Sequence, residues 1–321
     1  MSAKNKKEKN TDSTSNNISK FLLKNLPYIF FSAAILLIFI HRISGNDLWL
    51  HLRIGETILT ERLIPDAEKY SFSIQNQPYF DHEWLCQILL YVTYKYGSII
   101  GIQALHIFLV IVTFLLLFKS MSSEKIIRLI ILLPLIPLAA AHDEMRPHIF
   151  GWFFSASLIY LLSNKKYKFN PVLLLIWANM HASFILALFV IIIQMTYLYY
   201  KERDKQILLF GIISVLAPLI NPFGYHIYSF SGQIEKYVWM VDEWQPFERD
   251  SPFFFVYLSY IIGLMISIII NKKCSIADLI LSVIFLWLGF SAMRHCIVVC
   301  IYFTPLLDSR PSKSHFQQPS C

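Results

Sequence analysis

The side chains able to do chemistry fall into a few short clusters. GNDLWLHLRIGET carries Asp47, His51 and Arg53, and FDHEW carries His82 and Glu83. HDEMRPH, residues 142–148, packs five ionisable groups into seven residues, with Arg146 among them. His181 interrupts an apolar run at Asn179-Met180-His181, and Arg294 stands beside His295 in MRH. A carboxylate such as Asp47 or Glu83 can take a proton from a hydroxyl, and imidazoles can orient a ligand or hold a metal. The planar fork of an arginine suits a phosphate.

Each position also has a plainer reading. Asn46 or Asp47 can be the N-cap of a helix. His82 and Glu83, beside Trp84, can belong to an interfacial belt. Arg146 next to Pro147 is held extended and can pair with a neighbouring acid, since an arginine at membrane depth needs an anion. His142, His148 and His181 could in principle hold zinc, but no HExxH or comparable spacing supports a metal set. The sequence therefore fixes no cofactor and leaves a divalent metal open. A Gly-rich phosphate loop, a Walker motif and GxSxG are all absent from the chain.

The elements that must position these groups follow from composition. Of the 321 residues, 56% are apolar, 16% aromatic and 15% charged, well under the quarter expected of a soluble domain. Backbone groups find no water in hydrocarbon and must pair within helices of about 20 apolar residues. The expected fold class is all-α: a polytopic membrane bundle of about ten segments. These lie near 21–41, 98–118, 126–141, 149–163, 171–179, 182–200, 206–220, 253–270, 276–292 and 296–307. A basic, disordered tail (1–20) and a second tail (309–321) flank the membrane domain 21–308. The five cysteines show no CxxC and no metal spacing, so no disulfide framework is expected.

Charge sets the direction of the segments. If 171–200 is two pieces meeting at Asn179-Met180-His181, the loops on the N-terminal side hold 19 of the 28 Lys and Arg. The opposite loops hold 14 of the 21 acids. Positive-inside bias then puts both termini in the cytoplasm and the connections 43–97 and 222–252 outside. The net charge of +7 is spread loop by loop, which argues against a nucleic-acid partner. With that topology, seven of the ten histidines gather on the external side with the residues named above. Two interfacial helices are expected in the first external loop. One has Leu48, Leu52, Ile54, Thr57 and Ile58 on its apolar face and stops before Pro65; the other ends at Gly97.

DLWLHLRIGETIL, a following IP, and YSFSIQNQPYFDHEWLCQILLYV resemble bacterial multi-pass proteins related to the GT-C glycosyltransferases. The pattern is Asp-x-Trp-Trp-His-Leu-Arg-x-Gly followed by His-Glu-Trp-Leu. RPHIFGW, WANMHASF, NPFGYHIY, DEW-x-P and a final Arg-His echo it in order, with Leu50 in place of the second tryptophan. The resemblance implies a polyprenyl-phosphate-linked sugar as donor, a lipid or glycan acceptor, and a site on the external face of the inner membrane. It implies Asp47 as general base or electrostatic partner. Arg146 and Arg294 would face phosphate, while His51, Arg53, His82, Glu83 and His181 would hold or orient substrate. The competing classes are a non-catalytic envelope-assembly or lipid-handling protein of the same fold, a membrane acyltransferase with a His-Asp pair, and a transporter.

Overall fold

The computed structural model describes residues 25–40, 45–70, 75–141, 144–228, 244–246, 248, 250–270 and 274–308. The tails 1–20 and 309–321, His142, Asp143, Glu243 and most of the 222–252 connection lie outside the described residues. The fold is all-α; among the described residues no strand forms, and one antiparallel bridge joins Ala67 to Pro78. Among the described residues three helices are long and apolar enough to cross a membrane: Trp84–Ser120, Phe184–Glu202 and Pro252–Ile269.

Helix α1 (Asn25–Phe39) leads to α2 (Asp47–Glu61). The five residues expected on the apolar face of α2 are all buried, together with Gly55. Asn46 takes the N-cap position without a side-chain hydrogen bond, and Asp47 sits in the first turn, where the helix dipole favours a carboxylate. Arg62, in the left-handed conformation (φ 57°), ends α2 three residues before the expected stop at Pro65. Helix α3 (Trp84–Ser120) is broken at Ser98 (φ 55°, ψ −160°), one residue past the expected Gly97 cap. In an unbroken helix residues 93 and 101 would be about 12 Å apart along the axis. Here a Cβ on Gly101 would lie 2.9 Å from the Thr93 carbonyl oxygen, so the chain turns sharply between 84–97 and the apolar run that follows.

The third apolar segment is split into α4 (Lys125–Leu132) and α5 (Leu135–Ala140), because Pro134 lacks the N–H that would continue the ladder. Then come α6 (His148–Ser163), α7 (Asn170–Ala178), α8 (Phe184–Glu202) and α9 (Lys205–Leu216). The last helices are α10 (Pro252–Ile270), α11 (Ile276–Ser291) and α12 (Cys296–Leu307). Asp204 caps α9 by accepting from the Gln206 N–H, and Ser275 with Asp278 forms a capping box on α11. Cys86, Cys274, Cys296 and Cys300 are free thiols.

Contacts between helix ends sort the bundle into two poles. At one pole Lys165, after α6, pairs with Glu202 at the end of α8 (2.9 Å). There too Asp308, after α12, accepts from the Ser123 N–H (3.0 Å) at the α3–α4 turn. At the other pole Asn179, after α7, donates to the Ile220 carbonyl (3.0 Å) beyond α9, and its side-chain oxygen accepts from Trp84 Nε1 (3.0 Å) at the start of α3. Since α6 and α8 both end at the first pole, residues 170–202 run to the second pole and back. The 171–200 stretch is thus two helices broken at 179–183. Buried side chains of α3, α6 and α12, with Trp177 of α7 and Phe184 of α8, fill the interior between the poles.

Candidate functional site

The chemistry-bearing residues gather at the second pole, where α2, the start of α3, the start of α6, the α7–α8 break and the α11–α12 junction meet. Gly55 explains how α2 and α3 come so close. A Cβ there would overlap the Gln87 carbonyl and lie 3.0 Å from Tyr91 Cβ, so the two helices touch backbone to side. That contact brings His51 of α2 over Glu83, the residue that opens α3.

Glu83 is the hub. Its carboxylate lies 3.5 Å from His82 Nε2, 3.8 Å from His181 Nε2 and 4.0 Å from His51 Nδ1. All four side chains are largely buried, at 12–18% exposure. Burial pushes the Glu83 carboxyl up, but the rings of His82, His51 and His181 outweigh it and hold the group well below the usual carboxylate range. For His82, burial works against the charged form and is overcome by Glu83, so its value is raised; Nδ1 donates to the Phe80 carbonyl (3.5 Å). Burial lowers His51 and His181, which stay neutral at pH 7, and Arg294 lowers His181 further. Of the three imidazoles, His82 is thus the one favoured to carry a proton beside the Glu83 carboxylate. The amide of Gln87, one helical turn after Glu83, reaches His51 Nδ1 at 3.5 Å.

A second, more open group stands beside this one. Arg146 Nε is 3.3 Å from Asp47 Oδ2, and the same guanidinium contacts the Glu144 carboxylate. Asp47 is 53% exposed and Arg146 26%. Asp47 and Arg146 both act electrostatically on His51, which links this pair to the Glu83 cluster. Beyond His181, the Arg294 guanidinium lies 4.1 Å over the Trp244 ring, a cation–π stack. Asp47, Arg146, His51, Glu83, His82, His181 and Arg294 thus form one continuous polar chain, running from an exposed ion pair to a buried centre.

Arg53 stands apart. It falls on the charged face of α2, pairs with Glu56 (2.6 Å) three residues on, and is exposed. The helix face that buries Leu52 and Ile54 turns it away from Glu83, so the structure does not bring it to the cluster. Asn221 folds back on its own turn, accepting from the Phe223 N–H (2.7 Å) and donating to the Gly224 carbonyl (3.0 Å). His226 is exposed beside Tyr225, and His295 donates from Nδ1 to the Leu288 carbonyl (3.2 Å), tying the end of α11. His148 packs edge-on to Trp152. Among the described residues no three His, Cys, Asp or Glu side chains have the geometry to hold a metal ion.

Sequence reasoning passed over several participants. Asp81 is 1% exposed, and burial, with Glu83 next to it, drives its carboxyl far up. Two acids two residues apart are pushed in opposite directions, an arrangement that separates a proton-carrying group from an ionised one. Ser183, Trp177 and Gly151 surround His181. The available signal was proximity in the chain: Asp81 is in FDHEW, Ser183 and Trp177 are in WANMHASF, and Gly151 is in RPHIFGW. No family model, curated protein or solved structure matches this chain.

Proposed function

We propose that the chain is a GT-C-like membrane glycosyltransferase. It moves a sugar from a polyprenyl-phosphate donor to a lipid or glycan acceptor of the envelope, on the external face of a bacterial inner membrane. It crosses that membrane several times, with both termini cytoplasmic. The observation that carries this reading is the continuous chain from Asp47 and Arg146 through the Glu83 cluster to Arg294. The lysine-rich helix ends, such as Lys165 against Glu202, lie at the opposite pole, the arrangement that positive-inside bias requires.

A sugar C1 joined to phosphate already has a good leaving group, so the enzyme must deprotonate an acceptor hydroxyl and receive the departing phosphate. Asp47 is the base in this scheme. Its Oδ2 is engaged by Arg146 Nε at 3.3 Å in an ion pair. A donor phosphate competing for Arg146 releases Asp47, so that the base becomes active only when donor is bound. Arg294, stacked on Trp244, offers donors in the plane of its guanidinium to the same phosphate. The buried Glu83–imidazole cluster orients the sugar hydroxyls.

The test is lipid mass spectrometry of a deletion strain complemented with the wild-type chain or with Asp47→Asn at equal protein level. The expected result is accumulation of a polyprenyl-phosphate sugar that the wild type clears and the variant does not. One observation favours a second, non-catalytic envelope role: Asp47 and Glu144 are both already ion-paired with Arg146. Full complementation by Asp47→Asn, with no accumulated lipid in the deletion strain, would select it.

A further inference from the structure

We infer that Ser183 is a positioning residue: it locks His181 in the tautomer whose Nε2–H faces Glu83. Only the activity arm of the test below rests on the glycosyltransferase reading.

The hydrogen bonds around Ser183 leave its hydroxyl one direction. Trp177 Nε1 has a proton and no lone pair, so at 3.0 Å it must donate to Ser183 Oγ. Because His181 Nδ1 also faces the Ser183 backbone N–H, it is an acceptor, and Oγ, 2.6 Å away, donates its proton to it. The Ser183 backbone N–H points to the same nitrogen at 3.2 Å. Nδ1 thus receives two donors and must be the unprotonated nitrogen. The ring proton is on Nε2, the atom 3.8 Å from the Glu83 carboxylate.

The neighbourhood keeps this order in place. Trp177 is fully buried and stacked on Phe154 (5.5 Å between centroids), so its N–H has a fixed direction. Gly151 of α6 supplies the space: a Cβ there would stand 2.7 Å from Ser183 Oγ and 3.1 Å from His181 Nδ1. The same packing argues against Ser183 as a nucleophile. Its Oγ is already engaged by the Trp177 N–H and by His181 Nδ1.

The consequence concerns proton placement in the cluster. The charged and titratable groups that act on His181 are Glu83, Arg294, His82 and His51. Two donors on Nδ1 favour the neutral ring, and neutral His181 leaves His82, 3.5 Å from Glu83, as the ring whose protonated form the carboxylate favours. Removing the Ser183 hydroxyl weakens the hold on Nδ1, lets the ring turn or take a second proton, and makes His181 compete with His82 for the same carboxylate.

The experiment is nitrogen NMR of the full-length chain in detergent micelles with labelled histidine, His181 being assigned by comparison with His181→Gln. The wild type should show His181 neutral at pH 7 with its proton on Nε2, a measurement that needs no destabilising variant. Ser183→Ala should raise the His181 titration and mix the tautomers, and Ser183→Thr, which keeps a hydroxyl, should restore both. An Nδ1–H tautomer or an imidazolium at pH 7 in the wild type overturns the inference, as does an unchanged His181 in Ser183→Ala. In the lipid-accumulation assay, Ser183→Ala should lose at least tenfold while Ser183→Thr holds. If the NMR arm succeeds and no lipid accumulates even in the deletion strain, the positioning role stands and the glycosyltransferase reading falls.

Discussion

Replacing Glu83 with glutamine keeps the shape of the cluster and removes its central charge. In the wild type the carboxylate faces the His82 ring at 3.5 Å and favours its protonated form. Opposite charges about 4 Å apart attract by roughly 4 kcal/mol at an effective dielectric near 20, a gain that burial of both groups largely offsets. The sharper readout is the pH dependence of stability. His82 is raised above its ordinary value, so its contribution is fully present below about pH 6.5 and is lost as pH rises through the raised folded value. Glu83 is lowered to about 2, so its contribution is present above the ordinary carboxylate range and fades only in strong acid. Asp81, raised to about 7, is half titrated at neutral pH and adds its own fall in stability there, so both proteins are compared in an Asp81→Asn background; His181, lowered to about 4, titrates well below that range. His51 is also lowered. Glu83→Gln removes the largest influence that raises His82, so burial, opposed then mainly by the Phe80 carbonyl, brings its value down. The stability advantage of the wild type should therefore shrink as pH rises from about 6.5 through the raised value of His82, with a slope no steeper than about 1.4 kcal/mol per pH unit for one proton. Thermal unfolding in micelles, followed by the fluorescence of the seven tryptophans, measures it. An advantage that stays constant or grows over that range would refute the assignment of the imidazolium to His82.

Three further outcomes follow from particular contacts. Gly55→Ala must push α2 from α3, because the new Cβ overlaps the Gln87 carbonyl; overpacking of this kind costs about 1–3 kcal/mol, against a helix-propensity gain of at most about 1 kcal/mol, and a wild-type melting temperature would show that the helices do not touch there. Arg294→Lys should leave the protein folded and inserted yet lower clearance of the donor lipid by about tenfold or more, since lysine lacks the planar fork that stacks on Trp244 and binds phosphate bidentately; near-normal clearance would make Arg294 an interfacial anchor. Reporters fused at Lys165 and Lys205 should read as cytoplasmic and one at Gln75 as external, and an external signal at Lys205 would contradict the two poles.

The sequence by itself determined the helices and where they end. Apolar runs, the polar break at Asn179-Met180-His181 and the Gly97-Ser98 turn act on the backbone within a few residues, whereas the split of 126–141 at Pro134 emerged only in the structure. Their effects can therefore be read along the chain, as can the buried face of α2 at Leu48, Leu52, Ile54, Thr57 and Ile58. Asp47 and Glu83 could be named as acids from their motifs, but not ranked. Only the packing of α2 on α3 at Gly55 made Glu83 the buried centre of three imidazoles, left Asp47 half exposed against Arg146, and turned Arg53 away. Asp81, Ser183, Trp177 and Gly151 gained their roles in the same way. Periodicity fixes which face of a helix is apolar, whereas the meeting of polar groups depends on how helices far apart in sequence are rotated and spaced. Those quantities are set by side-chain volumes at their contacts, and no local pattern encodes them.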